Sequence, residues 1–290
     1  APAVAAAGAP LAAGAAAAPG AAGRGGRAGG RGGAGPIDGL QVTYTVPANA
    51  TGAVPLIQGG NAQAIFAMGF GTVNFAGSAP NVSTGRPDDW GAIRKNAWAV
   101  SKSLDYLETD KTVDEHQVEV TGHSIGGKQA LMRAIMDERI GLVFASCSGE
   151  GGASLMRHDW GETIDDIGQL SPGNYCENFK KWIGNWQAMP IDAHMLVALM
   201  APRPAFISGG TDDQWSDPVG VYWTGYHASA VYRLLGKKAS ETNAPPEPNT
   251  FVGGDLLFYK RIGGHITPAE ESAKYLELAK QYVKVKPRTM

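Results

Sequence analysis

Gly122-His123-Ser124-Ile125-Gly126 lies between Gln117 to Thr121, which alternates as a strand does, and Gly126 to Met136, whose apolar spacing is helical. A serine in so tight a strand-to-helix turn needs small residues two before and two after it, which marks a nucleophile elbow. The turn aims the Ser124 hydroxyl beyond the sheet edge. It also sets it at a helix N-terminus, where the free backbone N–H of Ile125 is available to an oxyanion. The competing reading is a glycine-rich turn with a structural serine.

Serine is a poor nucleophile at neutral pH without a base, and the base needs an acid to hold its tautomer. An elbow of this kind sets the chain order serine, acid, histidine. Four histidines follow Ser124. His158 falls in a loop-rich stretch, His194 heads an apolar helix and reads as a packed or capping residue, and His227 sits within a helix. His265, in Gly263-Gly264-His265 between a strand and the last helix, is where a base belongs. The acid is expected after the strand Ala205 to Ser208. Asp217 precedes Pro218 and reads as a turn or cap, leaving Asp212 and Asp213 unseparated by spacing.

These residues need a scaffold, and the chain from Ile37 onward supplies one. Leu40 to Val46, Val54 to Gln58, a strand or two within Ala64 to Phe75, Gln117 to Thr121, Leu142 to Ser146, Ala205 to Ser208 and Asp255 to Arg261 read as strands. Between them, Asp88 to Glu108 (with Asp88 or Asp89 as N-cap), Gly126 to Met136, Met195 to Met200, Val219 to Leu235 and Pro268 to Val285 read as helices. Such alternation predicts an α/β fold, a mainly parallel sheet with helices on both faces. Gly149 to Ile191 reads as an aromatic, loop-rich insert.

Composition narrows the function classes. The chain has 290 residues, a net charge of −2, 40 glycines and 18 prolines. Residues 1–36 are rich in Ala and Gly and cannot bury enough apolar surface to order themselves, so a flexible tail is expected before a single domain over 37–290. The tail's Arg24, Arg27 and Arg31 admit a weak RNA-binding reading beside that of a solvated linker, but the acidic body lacks a nucleic-acid footprint. No run is long and apolar enough for a membrane span. Cys147 and Cys176 lack zinc-ligand spacing and form either one bridge or two buried thiols.

The ordered set Gly122-His123-Ser124 with Lys128, Ser148-Gly149-Glu150-Gly151-Gly152, Gly161-Glu162-Thr163, Cys176-Glu177-Asn178-Phe179, the run from Asp192-Ala193-His194 to Ala201-Pro202-Arg203-Pro204, Trp215-Ser216-Asp217-Pro218 and Gly264-His265 resembles the glucuronoyl esterases, carbohydrate esterase family fifteen, of bacterial type. The resemblance runs from about Asp88 to the C-terminus. It implies an α/β-hydrolase fold and a secreted or periplasmic serine esterase that cleaves the ester between 4-O-methylglucuronic acid of glucuronoxylan and lignin alcohols. It implies no metal and no organic cofactor, no nucleic-acid or membrane partner, and a monomer.

Carried over by motif, Ser124 is the nucleophile and His265 the base. Many members place a glutamate where this chain has Cys147; bacterial members can place the acid at the position of Asp213, which the resemblance selects over Asp212. Lys128, Glu162 and Trp215 match positions that hold the glucuronate. The family commonly has arginine after the serine where this chain has Ile125, leaving backbone N–H groups for the oxyanion hole. The region before Asp88 is short for the family, so weak turnover is expected. The neighbouring readings are an acetylxylan or general carboxylic-ester hydrolase and a catalytically silent carbohydrate-binding relative.

Overall fold

Eight strands hydrogen-bond into one sheet in the order β1-β3-β2-β4-β5-β6-β8-β7. The computed structural model describes residues 40–77, 79 and 83–283; the expected tail, 1–36, lies outside the described residues. The strands are β1 (Gln41–Thr45), β2 (Val54–Gln58), β3 (Gly71–Ala76), β4 (Val113–His123), β5 (Ile140–Ser146), β6 (Ala205–Gly210), β7 (Thr250–Gly253) and β8 (Leu256–Arg261). The six-strand centre from β3 to β8 is parallel, and β1 and β7 pair antiparallel at the two edges.

The helices are α1 (Ala62–Ala67), α2 (Ala92–Leu107), α3 (Ile125–Met136), α4 (Ile164–Leu170), α5 (Ala193–Ala198), α6 (Pro218–Leu234) and α7 (Ala269–Tyr282). Period-two alternation along the central strands divides the core between two faces. Val143, Ala145, Ala205 and Ile207 join the cluster containing Leu104 of α2, Leu131 of α3 and Val221 of α6. Phe144 and Phe206, one residue out of phase, join the opposite cluster with Ile65 of α1 and Tyr275 of α7. Phe144 stacks on both Phe206 and Tyr275, with ring centroids 4.6 and 4.9 Å away. A central strand covered on both faces must be apolar throughout, which is why β5 and β6 are almost wholly buried. This is the α/β-hydrolase architecture that the motifs implied.

Three local expectations are corrected. The stretch expected to hold a strand or two begins with α1, because Asn61 accepts a hydrogen bond from the Ala64 N–H and caps a short alanine-rich turn; only Gly71–Ala76 is extended. Neither Asp88 nor Asp89 caps α2, whose N-cap is Gly91. Asp89 instead gathers the Thr84 and Gly85 N–H groups and the Ser83 and Thr84 hydroxyls, while Asp88 pairs with Arg86 at 2.9 Å. The edge strand β7 was not anticipated, since its four residues alternate too briefly to register as a period.

The elbow follows from a steric constraint. Ser124 has φ 56° and ψ −125°, a region that costs a non-glycine residue of order 1–3 kcal/mol. A Cβ on Gly122 would stand 1.9 Å from the Gly126 carbonyl oxygen, so the strand can return into α3 this closely only without a side chain there. The expectation that Gly126 is equally constrained fails: a Cβ on it meets nothing within 4 Å. Gly122→Ala is therefore expected to destabilise by at least ~3 kcal/mol, the upper end of overpacking costs. Gly126→Ala should keep or raise the unfolding temperature, and thermal denaturation of the two variants checks the contrast.

Glu119 of β4 is fully buried, and burial pushes its carboxyl up to about 8, against a hydrogen bond from the Tyr275 hydroxyl at 3.0 Å that acts to lower it. The folded chain thus keeps a proton that the unfolded chain loses near pH 4.5, so unfolding releases it between that pH and about 8. This contribution is fully present at low pH and is lost as pH rises through the window. Glu119→Gln keeps an acceptor for Tyr275 without a titrating group. Its gain in unfolding temperature over wild type is expected to be larger at pH 8 than at pH 5.

Candidate functional site

The parallel strands end side by side, and the residues with chemistry follow those ends. Register pairs His123 of β4 with Ser146 of β5, Ser146 with Ser208 of β6, and Gly210 with Arg261 of β8. Ser124, Cys147, Asp213 and His265 therefore leave one edge of the sheet, the carboxyl edge where open parallel sheets place their sites. Ser124 N–H donates to the Ser146 carbonyl at 2.9 Å, and Cys147 N–H to the Ser208 carbonyl at 2.9 Å, so the loops remain laced to each other past the last strand residue.

His265 Nδ1 lies 2.9 Å from Asp213 Oδ2 and 3.0 Å from Ser216 Oγ. The Ser216 hydroxyl donates to the Cys147 carbonyl at 3.0 Å, so it turns a lone pair toward the imidazole. With acceptors on both sides, Nδ1 carries the proton and Nε2 is left with a free lone pair, the tautomer a general base requires. Asp213 is 3% exposed and also accepts from the Ser216 N–H at 3.2 Å. Burial acts to raise its carboxyl, but hydrogen bonds from His265, Cys147 and Ser216 outweigh it and hold the group below its ordinary value. It stays ionised through neutral and mildly acidic pH. Asp212 is exposed and accepts from its neighbour Thr211, so Asp213 is the one of the two whose carboxylate meets His265.

His123 packs its ring 4.5 Å from that of His265 and holds Thr267 Oγ1 at 3.0 Å on Nδ1. Burial lowers its pKa, and a charge on His265 would add to the effect, so it stands as a neutral wall beside that imidazole. Ile125 opens α3 with its side chain exposed beside Ser124 and its N–H at the helix terminus.

Lys128 is no solvated helix lysine: its side chain is 4% exposed, and Nζ donates to Glu162 Oε2 and to the Glu150 carbonyl, both at 2.5 Å. Burial lowers its pKa while Glu162 and Glu150 oppose the shift. Glu162 is fixed in turn by its N–H, which donates to the Trp215 carbonyl at 2.7 Å, and it directly precedes the Thr163 cap of α4. Gly149, at φ +60°, lets the carboxylate approach, since a Cβ there would stand 2.6 Å from Glu162 Oε2. Trp215 is 46% exposed on the turn between Asp213 and Asp217. The three residues expected from the sequence to hold the sugar are thus joined through one ion pair and one backbone hydrogen bond.

One residue beside the site was not singled out from the sequence. Arg261 closes β8 with its guanidinium buried, Nη2 3.0 Å from Cys147 Sγ and 2.6 Å from the Gly264 carbonyl, and Nε 2.8 Å from Glu271 of α7. It ties the His265 loop to the last helix, and no local signal separates it from an ordinary strand-end arginine. Glu150 is buried, and burial, aided by Asp159, Asp217 and Asp192, pushes its carboxyl up to about 9 against a backbone hydrogen bond from Ile164, so it is neutral at pH 7. His158 Nδ1 faces Asp217 Oδ2 at 2.8 Å, and Asp217 caps α6 as expected. His194 and His227 pack ring to ring at 5.6 Å. Cys147 and Cys176 are both free, which settles their pairing in favour of thiols; Cys147 is buried and Cys176 is partly exposed.

Residues 37–236 match the family model for the fungal glucuronyl esterases. The chain is 39% identical over 194 residues to the carbohydrate esterase MZ0003 of an unknown prokaryotic organism, covering 67% of this chain and 45% of that protein. It is 32% identical over 148 residues to the 4-O-methyl-glucuronoyl methylesterase 1 of Wolfiporia cocos, covering 48% and 36%. Among solved structures, the glucuronoyl esterase from Solibacter usitatus superposes with a TM-score of 0.77 at 29% identity, covering 84% of this chain and 78% of that one. A promiscuous esterase of carbohydrate esterase family 15 from a marine bacterial metagenome gives 0.76 at 28%, covering 84% and 77%. The chain spans less than half the length of the curated relatives it matches. With the elbow, the histidine and its carboxylate at one sheet edge and the family match running through most of the fold, the chain belongs to the glucuronoyl esterases of carbohydrate esterase family 15.

Proposed function

We propose that this protein is a secreted or periplasmic serine esterase that hydrolyses the ester between 4-O-methylglucuronic acid of glucuronoxylan and lignin alcohols, acting as a monomer. The observation that carries the reading is the His265 imidazole, held by Asp213 and Ser216 with Nε2 free, on the same sheet edge as the strained Ser124. Ser124 Oγ attacks the ester carbonyl while His265 Nε2 takes its proton. The oxyanion meets the Ile125 N–H and an N–H of the loop after β2. As the tetrahedral intermediate collapses, His265 returns the proton to the departing alcohol, and a water activated by the same nitrogen then frees the acid from Ser124.

The sugar side rests on Lys128, Glu162 and Trp215. An indole face stacks on the apolar face of a pyranose, and a buried ammonium–carboxylate pair bonds ring hydroxyls with little loss of side-chain freedom. Ile125 favours a second reading, a broader carboxylic-ester hydrolase, because an exposed apolar side chain beside the nucleophile accepts acyl groups other than a uronate.

Hydrolysis of benzyl glucuronate beside a simple acetyl ester tests both. Wild type is expected to prefer the glucuronate ester. Ser124→Ala should lose at least ~10³-fold in kcat and Asp213→Asn roughly 10²–10⁴-fold, through the wrong imidazole tautomer. Preference for acetate moves the function to the broader hydrolase, and a folded protein that turns over neither leaves a silent sugar binder. Lys128→Met should raise KM for the glucuronate ester by about tenfold, the worth of one charge-assisted hydrogen bond, while leaving the acetyl ester nearly unchanged. Equal effects on both esters would assign Lys128 to the scaffold instead.

A further inference from the structure

Behind the hydrogen bond between His265 and Asp213 stands a thiol that the hydrolytic chemistry does not use. Cys147 is 1% exposed, and its Sγ, a carboxylate oxygen of Asp213 and a ring nitrogen of His265 all lie within 4.8 Å of one another. The nitrogen facing Asp213 is Nδ1. A thiolate, an imidazole and a carboxylate are the donors that tetrahedral zinc-type ions take, at about 2.0–2.3 Å each, whereas hard cations such as calcium and magnesium prefer oxygen alone. Drawing the three donors onto one ion needs shifts of about an ångström or less. The His265 side chain is 38% exposed while Asp213 and Cys147 are buried, so the histidine is the member of the trio that solvent reaches.

Burial pushes the Cys147 thiol up to about 11, with Asp213 adding to the shift and Arg261, Nη2 3.0 Å from Sγ, acting against it, so the ion itself must displace the thiol proton. Glu271, 2.8 Å from Arg261 Nε, partly offsets the guanidinium charge that an incoming cation would meet. We propose that Cys147, Asp213 and His265 form an inhibitory site for a thiophilic divalent cation of the zinc or cadmium class. The site would switch the enzyme off by engaging the two side chains on which Ser124 depends; this rests on the reading of His265 and Asp213 as base and acid.

The balance is simple. Bonds form from the ion to sulfur, oxygen and Nδ1, the thiol proton leaves to solvent, and no redox partner is needed. The imidazole proton moves from Nδ1 to Nε2. Ser124 then faces an N–H where it needs a lone pair, so the block is electronic as well as steric. The neighbour in reach as a fourth ligand is the Ser216 hydroxyl, 3.0 Å from Nδ1.

Titration of the purified protein with cadmium chloride tests this, read by the ultraviolet thiolate-to-cadmium charge-transfer band and by ester hydrolysis. One equivalent is expected to raise the band and suppress hydrolysis at least ~tenfold, with both reversed by a chelator. Cys147→Ala should abolish the band and raise the half-inhibitory concentration for its residual hydrolysis at least ~tenfold, whereas Cys176→Ser should change neither. Asp213→Asn, an independent probe if Cys147→Ala fails to fold, should weaken cadmium binding at least ~tenfold. Ser124→Ala should bind cadmium like wild type, so the band still decides the metal site if no ester is hydrolysed. Inhibition that persists undiminished in Cys147→Ala, a band that vanishes in Cys176→Ser, or no band in wild type would overturn the proposal.

Discussion

One backbone approach underlies the whole site: the Gly126 carbonyl oxygen occupies the space that any side chain at residue 122 would need. That contact bends β4 into α3 within a single residue and forces Ser124 into a conformation only a well-braced structure can hold. The bracing is tertiary. Ser124 N–H is bonded to the end of β5, and α3 is packed against α2 and the sheet by Leu131 and Ala134. Because the turn stands at the carboxyl edge, the side chains following β5, β6 and β8 converge on it without any of them being near it in sequence.

Beneath this edge the chain buries more charge than a stability optimum would choose. Arg261 with Glu271, and Lys128 with Glu162, are ion pairs removed from most of the solvent, and Glu119 and Glu150 are buried carboxyls held neutral. Pairs of this kind often contribute little net stability, since desolvation offsets attraction. They fix orientation: Arg261 braces the carbonyl of Gly264 beside His265, and Lys128 fixes the Glu162 carboxylate. Hydrogen bonds in such a low-dielectric floor are strong, which keeps Asp213 ionised although buried.

The loop-rich segment after β5 closes the other side with a small core of its own. Met156, Ile164, Ile167 and Met189 are buried together, with Tyr175, Phe179, Trp182 and Trp186 packed around them. Its aromatic content therefore serves packing first, and Trp215, from the turn after β6, is the exposed indole beside Glu162. Trp160 is also exposed, and its indole N–H reaches Gln214 at 3.3 Å, so the segment meets the acid-bearing turn edge to edge.

Periodicity and turn chemistry alone determined much of this molecule. Strands covered on both faces must read as apolar runs, and an elbow needs a small residue before its serine, so β5, β6, α3, α6 and Ser124 were legible directly, as was Asp217 as a cap. Chain order pointed to His265 as the expected base, and the fold sets it beside Asp213. Short or compensated signals were not legible: α1 and β7 are too brief to show a period, and Asp89 found loop donors nearer than the helix it was expected to cap. Tertiary structure fixed which of Asp212 and Asp213 meets His265, because which of two adjacent carboxylates turns inward depends on β8 and the His265 loop, some fifty residues away in sequence. It also brought Ser216, Arg261 and Cys147 under the histidine and made Lys128 a buried partner of Glu162, since each of these side chains takes its partner from a separate element that only the folded sheet brings alongside.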